Sequence, residues 1–361
     1  MSFSPGAASA LDESEIPGRR AGEVTYVTVA DERFFVGAVA LVNSLRLTGH
    51  HERIVVLDAG LTPEQRALLA HECEIVQPPV TREGVFVVFL KTVLHLLGLR
   101  GTVVLVDSDV VVTRHLGPVV EAAQAGQIVL VADQFPERHF PEWQEILDLE
   151  RPPRRDPHLG AGFIALDLDQ WPDFMPRWLD LCQRVPEERA DLPFDLPRDV
   201  VRANPFAFPE QDVLNAMLAS EVEKDRVEVF SLDVFPGPPH NDGLRIVDRG
   251  ALRVAHGEHE PFLLHYWNHP KPWLPDARAG LAMDAYVELL ARLLTAADLP
   301  LRLPAADLPV WLRDDVRGRL VRRAPRRARR TIRALLRALP APFEQRARDV
   351  GGIVAARLRL G

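Results

Sequence analysis

Two carboxylates follow directly after an apolar, strand-like run of the sequence. The run is Val103–Val106, and Asp107 and Asp109 come next with Ser108 between them. In an extended chain, side chains two positions apart point to the same side. Ligands of open α/β sheets bind beyond the carboxyl ends of the strands, where a hard divalent cation with oxygen ligands would offset the cost of unpaired negative charge. The pattern indicates a metal site, and the alternative is a solvated acidic turn.

A histidine and a lysine far downstream could extend this site. His265 lies in the short apolar segment Phe262–Tyr266, and Lys271 follows six residues later between two prolines. An imidazole could complete an oxygen-rich Mn²⁺ site, and the lysine could hold a diphosphate. One alternative is a histidine at the core edge beside a surface loop. Another is a zinc site, although closed zinc sites usually recruit cysteines and more regular spacing than these four histidines have: His256, His259, His265 and His269.

A third polar cluster opens a predicted helix. Glu210, Gln211 and Asp212 follow Pro209, and the helical pattern Asp212–Leu218 begins at the last of the three. Acidic residues are favoured at helix N-termini by the helix dipole, so simple capping is a sufficient explanation of this segment taken alone.

Apolar runs alternate with helix-like segments along the first half of the chain. Continuous runs rich in β-branched residues predict strands, and apolar residues at helical spacing predict helices. The predicted strands are Val24–Ala30, Arg53–Asp58, Glu74–Val76, Thr102–Val106 and Ile128–Ala132, and the pattern loosens after Phe163–Leu168. The predicted helices are Phe35–Leu47, Thr62 to about Glu72, Leu90–Leu97, Asp212–Leu218 and Asp284–Leu294. The alternation indicates an α/β fold with a mostly parallel central sheet flanked by helices. Residues 186–209, rich in Pro, Arg and Asp, are predicted to form a surface loop.

The composition is that of a globular protein. The chain has 361 residues, 47% of them apolar, and a mean hydropathy of −0.05, which suits one large or two modest domains and excludes disorder throughout. No run approaches the roughly 18 apolar residues that a membrane span needs. The N-terminus lacks a basic region followed by an apolar one, which argues against secretion. Two cysteines, Cys73 and Cys182, are too few for a disulfide framework, so we expect a reduced cytoplasmic protein.

Taken together and in order, these segments resemble the family 8 retaining glycosyltransferases, which include glycogenin and the bacterial lipooligosaccharide galactosyltransferases. The resemblance covers roughly Val24–Trp273 and implies the GT-A fold. It lies in five segments: YVTVADERFFVGAVALVNSL from Tyr26, VLDAGLTPEQ from Val56, Phe89–Asp109, EQDVLN from Glu210, and HYWNHPKPW from His265. Together with the composition of the two ends, it predicts three parts of the chain: a leader at 1–22, a glycosyltransferase domain at 23–299 and a Pro/Arg-rich helical tail at 300–361.

The resemblance implies a role for each matching residue. Mn²⁺ (or Mg²⁺) would be held by Asp107, Asp109 and His265. The uridine pocket would be lined by Val29, Ala30 and Asp31. The nucleotide-sugar would also meet Lys91, Ser108 and Lys271, the last of these at the diphosphate. Near the donor sugar and its anomeric carbon would lie Asp133, Glu210, Gln211 and Asp212.

Three positions depart from the family pattern. Gly160 stands where the family has an asparagine that contacts the donor sugar, Asn268 replaces a glycine of the histidine motif, and Glu210 replaces an aspartate. The first leaves the identity of the sugar open, and the second alters backbone freedom beside the phosphates.

The function that the resemblance implies is metal-dependent transfer of a hexose from a UDP-sugar to a glycan or glycolipid, with retention of configuration. The alternative is a catalytically degenerate sugar-nucleotide-binding or scaffold protein. A nucleotidyltransferase is disfavoured because the loop after the first strand, Val29–Phe34, has no glycine. A glycoside hydrolase is disfavoured because Asp107 and Asp109 are spaced for a shared cation rather than for opposite sides of a bond. Residues 134–158 contain three aromatic residues that could form an acceptor lid or pack beneath the loop: Phe135, Phe140 and Trp143.

The end of the chain is strongly basic. Residues 313–361 contain 15 Arg, no Lys and four acids, a net charge of +11, which leaves −19 on residues 1–312. From Ala328 onward, apolar residues recur at helical spacing: Ile332, Leu335, Leu336 and Leu339. A basic amphipathic helix of this kind predicts attachment to an anionic membrane, here the inner face of the plasma membrane, near a lipid-linked acceptor. A helix packed on the acidic body is the alternative, and no nucleic-acid partner is expected.

Overall fold

The computed structural model describes residues 23–78, 87–186, 198–274, 277 and 284–323. The predicted leader and the tail beyond residue 323 lie outside the described residues. None of the described helices is long and apolar enough to cross a membrane.

A seven-stranded sheet forms the centre of the described chain. The described residues form eleven strands, of which seven belong to this sheet. In chain order they are β1 Val24–Ala30, β2 Arg53–Asp58, β3 Glu74–Val76, β4 Thr102–Val106, β5 Val110–Val112, β6 Ile128–Ala132, β7 Leu159–Asp167, β8 Val227–Phe230, β9 Leu244–Asp248, β10 Arg253–His256 and β11 Leu263–His265. The central sheet has the order β3-β2-β1-β4-β7-β6-β8. Only β7 runs antiparallel to its neighbours in it, so the prediction of a mostly parallel α/β sheet is confirmed for the part of the chain that is described.

In the described part of the chain, two small antiparallel ladders lie outside this sheet. One pairs β9 with β10, and the other pairs β5 with β11. The second ladder joins the segment just after β4 to the segment that contains His265. It therefore connects two parts of the sequence that are far apart.

Helices cover both faces of the sheet. They are α1 Phe35–Leu47, α2 Pro63–Leu69, α3 Gly117–Gln124, α4 Trp143–Ile146, α5 Phe174–Cys182, α6 Arg198–Ala203, α7 Pro209–Glu221, α8 Asp284–Thr295 and α9 Val316–Arg323. The segment Val87–Leu97 is a 3₁₀ helix. A capping box starts α2, because the Gln65 amide N–H donates to the Thr62 hydroxyl and the Thr62 N–H donates to the Gln65 side chain. This helix ends at Leu69, three residues before the predicted end.

Alternate residues of β1 belong to two separate cores. Tyr26 packs in the core on the side of α1 and α8, and Val27 packs in the core on the side of α5 and α7. In α1, the buried Asn43 amide donates to the carbonyl oxygens of Leu293 and Leu301 at 2.7 and 2.8 Å. These bonds hold the last turns of α8 and the chain after it against α1. A buried amide without partners would be costly, so the two contacts are strongly favoured.

Residues after position 300 contribute to the first core. Leu301, Leu308 and Trp311 are buried, in the part of the chain predicted to begin the tail. The guanidinium of Arg322 in α9 pairs with Glu288 of α8. The described part of the predicted tail therefore packs on the body, and the domain boundary at 299 stays a prediction.

The surface loop predicted over 186–209 is wrong in its C-terminal part. Residues 198–203 form α6, Phe206 is fully buried, and Val201 and Ala207 pack against Phe135. Few apolar residues stand here among prolines and charges, and their burial depends on contacts with distant parts of the chain. Residues 187–197 lie outside the described residues.

Candidate active site

The two carboxylates and the histidine come together through the β5–β11 ladder. Asp107 and Asp109 follow β4, and the chain returns at once as β5. In the ladder, His265 lies opposite Val110, and the Tyr266 N–H donates to the Asp109 carbonyl at 3.1 Å. This pairing brings His265 beside the end of β4, at the carboxyl edge of the parallel strands.

The three side chains lie close together. His265 Nε2 lies 3.1 Å from Asp109 Oδ1 and 4.0 Å from Asp107 Oδ2. One ligand atom from each residue lies within 4.8 Å of the other two. A Cβ at Gly162 would lie 2.3 Å from His265 Cε1 and 3.0 Å from Asp107 Oδ2, so only glycine leaves the space that these side chains occupy.

These residues fit a divalent cation. Asp109 Oδ1 is buried and accepts no well-formed hydrogen bond from the described residues, although His265 Nε2 is close. Burial opposes ionisation of Asp109, but Lys271 and His265 outweigh it and hold the pKa of the carboxyl well below its usual range. Two carboxylates and an imidazole are a donor set that suits Mn²⁺ and is compatible with Mg²⁺.

Two buried lysines lie behind the carboxylates. Lys91 Nζ donates to Asp107 Oδ1 at 2.9 Å and lies 3.6 Å from Glu210 Oε1. Burial disfavours its charge, but Asp107 and Glu210 outweigh burial and raise the pKa of Lys91. Lys271 Nζ donates to Asp109 Oδ2 at 2.5 Å and to the Tyr266 carbonyl at 2.8 Å. Lys271 is only 2% exposed, so the described structure places it against a carboxylate rather than on an open surface.

The start of α7 adds a carboxyl and an amide to the same region. Burial raises the pKa of Glu210; Lys91 opposes the rise, and Asp107 and Asp212 add to it. Gln211 Oε1 accepts from the Ala161 N–H at 3.0 Å, and its Nε2 donates to Asp133 Oδ2 at 3.2 Å. Gln211 and Asp133, both predicted from the sequence, are therefore in direct contact.

Asp212 is placed differently from its two neighbours. Its carboxylate is fully buried, and it accepts two hydrogen bonds from Arg138, at 3.1 and 2.6 Å, and one from the Phe208 N–H. His158 Nε2 lies 3.0 Å from the same carboxylate. Sequence reasoning missed Arg138 and His158, because nothing in their local pattern distinguishes them from other loop residues.

The predicted uridine residues lie at the same edge of the sheet. Strands β1 and β4 are parallel with Val27 opposite Leu105. Val29 and Ala30 end β1, and Asp31 follows them, at the same edge of the sheet as the two carboxylates. The Asp31 carboxylate accepts from the Phe34 N–H at 2.9 Å and so shapes the loop that leads to α1. The first turn of α1 also packs closely here, because a Cβ at Gly37 would lie 2.3 Å from the carbonyl oxygen of the buried Ser108.

The structure does not support two other hypotheses from the sequence, the aromatic acceptor lid and the four-histidine zinc site. Phe135 and Trp143 are buried, and the Trp143 indole donates to the Pro205 carbonyl at 2.7 Å, so both pack beneath the loop. Among the described residues, the groups that could hold a metal are Asp107, Asp109 and His265, and a second set around His50. The four-histidine zinc arrangement is not one of them.

No protein-family model matches the sequence, and a search of curated proteins finds no match. Solved structures similar to the chain include the galactosyltransferase LgtC in complex with donor and acceptor sugar analogs, at 18% identity and a TM-score of 0.46, over 76% of this chain and 98% of that one. They also include the bifunctional glycosyltransferase WbbM, at 18% identity and a TM-score of 0.48, over 79% of this chain and 51% of that one. A third is the glycosyltransferase GlyE of Streptococcus pneumoniae, at 16% identity and a TM-score of 0.44, over 70% and 56%. The chain thus matches nearly all of LgtC and about half of the other two chains.

Proposed function

We propose that this protein is a metal-dependent glycosyltransferase that moves a hexose from a UDP-sugar to a glycan or glycolipid acceptor with retention of configuration. The observation that carries the proposal is the meeting of Asp107, Asp109 and His265 within 4.8 Å at the carboxyl edge of the sheet. Open α/β sheets bind ligands at this edge, and the loop that resembles a uridine pocket ends beside it. The resemblance of the motifs supplies the nucleotide and the reaction.

Each part of the site has a task in such a transfer. Asp107, Asp109 and His265 would hold Mn²⁺, which supplies Lewis-acid neutralisation of a departing diphosphate. Lys91 and Lys271 balance the carboxylates and keep them oriented from behind. The Gln211 amide, fixed between the Ala161 N–H and Asp133, offers a polar group of defined orientation near the proposed donor sugar.

A sugar-nucleotide-binding protein without transfer activity is the second candidate. It is favoured by Gly160 and Asn268, two of the three departures from the family pattern. At Gly160, an added Cβ would touch only Val131, at 3.2 Å and 3.8 Å, and reach Gln211 Oε1 at 4.0 Å, so the glycine leaves room beside the amide. Release of UDP during incubation with UDP-glucose, UDP-galactose or UDP-N-acetylglucosamine and Mn²⁺ separates the two candidates, because only an enzyme releases it.

Titration of the protein with UDP in a calorimeter tests the metal site. We expect UDP to bind with Mn²⁺ present and its affinity to fall at least about tenfold, or 1.4 kcal/mol, after the metal is removed with a chelator. The reason is that the diphosphate would otherwise meet two carboxylates with no cation between them. Mg²⁺ in place of Mn²⁺ serves as the matched control for the kind of metal. Equal UDP affinity with and without a divalent cation would contradict the proposal.

We also propose that the Arg-rich C-terminal segment binds an anionic membrane surface. The net charge of +11 over residues 313–361 supports this, as do Val316 and Leu320, which lie exposed one turn apart on α9. Electrostatic attraction contributes roughly 1 kcal/mol per basic residue near anionic lipid.

Sedimentation with vesicles tests the membrane proposal. We expect the full chain to pellet with phosphatidylserine-containing vesicles and not with pure phosphatidylcholine, and less so at high salt. A chain that ends at Arg323 keeps every described residue and is expected to stay in the supernatant. If both chains stay in the supernatant, the segment does not bind membranes.

A further inference from the structure

A chain of hydrogen-bonded side chains leads from the buried face of α7 to the proposed donor site. Its members, in order, are Arg138, Asp212, His158, Asp133 and Gln211. Arg138 donates to Asp212 Oδ1, His158 Nε2 lies 3.0 Å from the same oxygen, and His158 Nδ1 lies 2.8 Å from Asp133 Oδ2. We call the central three residues the Asp133–His158–Asp212 bridge. At its outer end, Gln211 Nε2 donates to Asp133 Oδ2 at 3.2 Å.

The geometry of the bridge favours a doubly protonated imidazole. Each ring nitrogen of His158 faces a carboxylate, which only accepts hydrogen bonds when it is ionised. A neutral ring would donate from one nitrogen and leave a lone pair facing a negative charge at the other. With His158 charged, two cations, Arg138 and His158, balance two anions, Asp212 and Asp133. Burial opposes this charge, but the hydrogen bonds with Asp133 and Asp212 outweigh it and raise the pKa of His158.

Among the residues that the structure describes, the charged groups that act on the His158 ring are Asp133 and Asp212. The loop after β6 contributes Asp133, α7 contributes Asp212, and Arg138 lies behind Asp212. From α4, the uncharged Trp143 stacks against the ring with centroids 6.3 Å apart. The next residue, Leu159, is fixed by Asn215, whose Oδ1 accepts from the Leu159 N–H at 2.7 Å and whose Nδ2 donates to the Leu159 carbonyl at 2.8 Å. The position of the ring is therefore set from several sides.

The bridge determines how Asp133 and Gln211 are oriented. Asp133 Oδ1 accepts from the Gln134 N–H at 2.7 Å, while Oδ2 accepts from both His158 and Gln211. Gln211 in turn accepts from the Ala161 N–H, so its amide can adopt only one of its two flipped orientations. The Asp133 side chain retains 10% exposure, whereas those of His158 and Asp212 have none. Only the outer end of the chain of side chains can touch a ligand.

We propose that His158 is a positioning residue of the transfer site, which holds Asp133 and, through it, Gln211 in the arrangement that the donor sugar requires. This inference rests on the proposed function. It assigns a role to a histidine that makes no contact with the metal ligands. Small displacements of positioned groups cost on the order of 100-fold in rate, which sets the scale of the expected effect.

The bridge also predicts a pH dependence of defined sign. As the pH rises through the raised pKa of His158, the ring loses a proton, and one of the two carboxylates loses its hydrogen bond. The stabilising contribution of the bridge is therefore complete below the ordinary histidine pKa of about 6.5 and is lost at higher pH. For the same reason, kcat is expected to fall on the alkaline side of its pH profile.

The experiment compares His158→Gln with His139→Gln in the full-length protein. His139 is the matched control, since it packs against the same Trp143 but contacts the Pro153 carbonyl and neither carboxylate. We expect His158→Gln to lower kcat for UDP release from a UDP-sugar about 10- to 100-fold, to leave Mn²⁺-dependent UDP binding unchanged, and to remove the alkaline limb of kcat. His139→Gln should retain the kcat and the pH profile of the wild type. Retained UDP binding shows that each variant is folded.

A second measurement needs no turnover. The ring proton of His158 is followed by NMR as a function of pH, and its midpoint should lie above about 6.5 in the wild type and fall in Asp133→Asn. If the wild type turns over a UDP-sugar but His158→Gln matches His139→Gln in kcat and pH profile, the positioning role is wrong and the proposed function stands. An NMR midpoint below that of a free histidine would also overturn the charged bridge. If the wild type releases no UDP from any donor, both proposals fail together.

Discussion

Asp109→Asn is expected to abolish Mn²⁺-dependent UDP binding and to lower sugar transfer at least about 1,000-fold, since a catalytic cation contributes several kcal/mol. The buried Asp109 carboxylate lies at the centre of the site, between His265 Nε2 at 3.1 Å and Lys271 Nζ at 2.5 Å. Asparagine has the same shape and can still accept from Lys271, but it removes the negative charge that a cation would need. Calorimetry with UDP and Mn²⁺, together with an assay of UDP release, measures both effects.

The control for this variant is Asp148→Asn, which makes the same change at an aspartate whose side chain is 91% exposed. It should bind UDP and turn over like the wild type. Thermal unfolding of both variants checks that the Asp109 substitution leaves the fold intact. An Asp109→Asn protein that still binds UDP in a metal-dependent way would show that the cation site lies elsewhere.

Arg138→Met is expected to lower the free energy of unfolding by about 3–5 kcal/mol, because it breaks a buried ion pair. Arg138 is buried, pairs with the fully buried Asp212, and also donates to the carbonyl oxygens of Val201 and Asn204. Methionine fills much of the same volume but removes the Arg138 charge, so that Asp212 must share the charge of His158 with Asp133. Urea unfolding followed by circular dichroism measures the change.

An exposed ion pair supplies the comparison for Arg138. The pair between Arg100 and Asp169 joins side chains that are 72% and 50% exposed, and Arg100→Met should cost no more than about 1 kcal/mol. If Arg138→Met costs no more than Arg100→Met, the buried pair does not hold α7 in place.

Five strands of the central sheet were predictable from sequence because each is a short, continuous, mostly apolar run. All five predicted strands, Ile128–Ala132 included, have the bounds that the structure shows. Helix ends were less predictable: α7 begins at Pro209 and ends at Glu221, beyond the predicted Asp212–Leu218 on both sides. The polar residues at the start of α7 contact distant groups, and a local pattern does not contain that information.

The residues of the candidate site show the same contrast between what a local pattern predicts and what depends on distant contacts. Asp107 and Asp109 could be predicted because they follow a buried strand, where an unpaired charge would be costly unless a ligand or a partner offsets it. The position of His265 depends on three-residue strands, β5 and β11, which are too short to stand out in the sequence. Arg138 and His158 act on Asp212 across 74 and 54 residues of sequence, so their roles emerge only when the chain is folded. Lys271 was predicted to face a diphosphate, and in the structure its immediate partner is Asp109.

The β5–β11 ladder also determines when the site is completed during synthesis. Asp109 and Lys271 are 162 residues apart, and domains generally begin to fold from the N-terminal end as they emerge from the ribosome. A nascent chain that has formed β1 to β4 presents two carboxylates, but the imidazole and the lysine have not yet been made. Contacts of such separation are also slow to form. Binding of the proposed cation would therefore require that synthesis has passed Lys271 and that β11 has paired with β5.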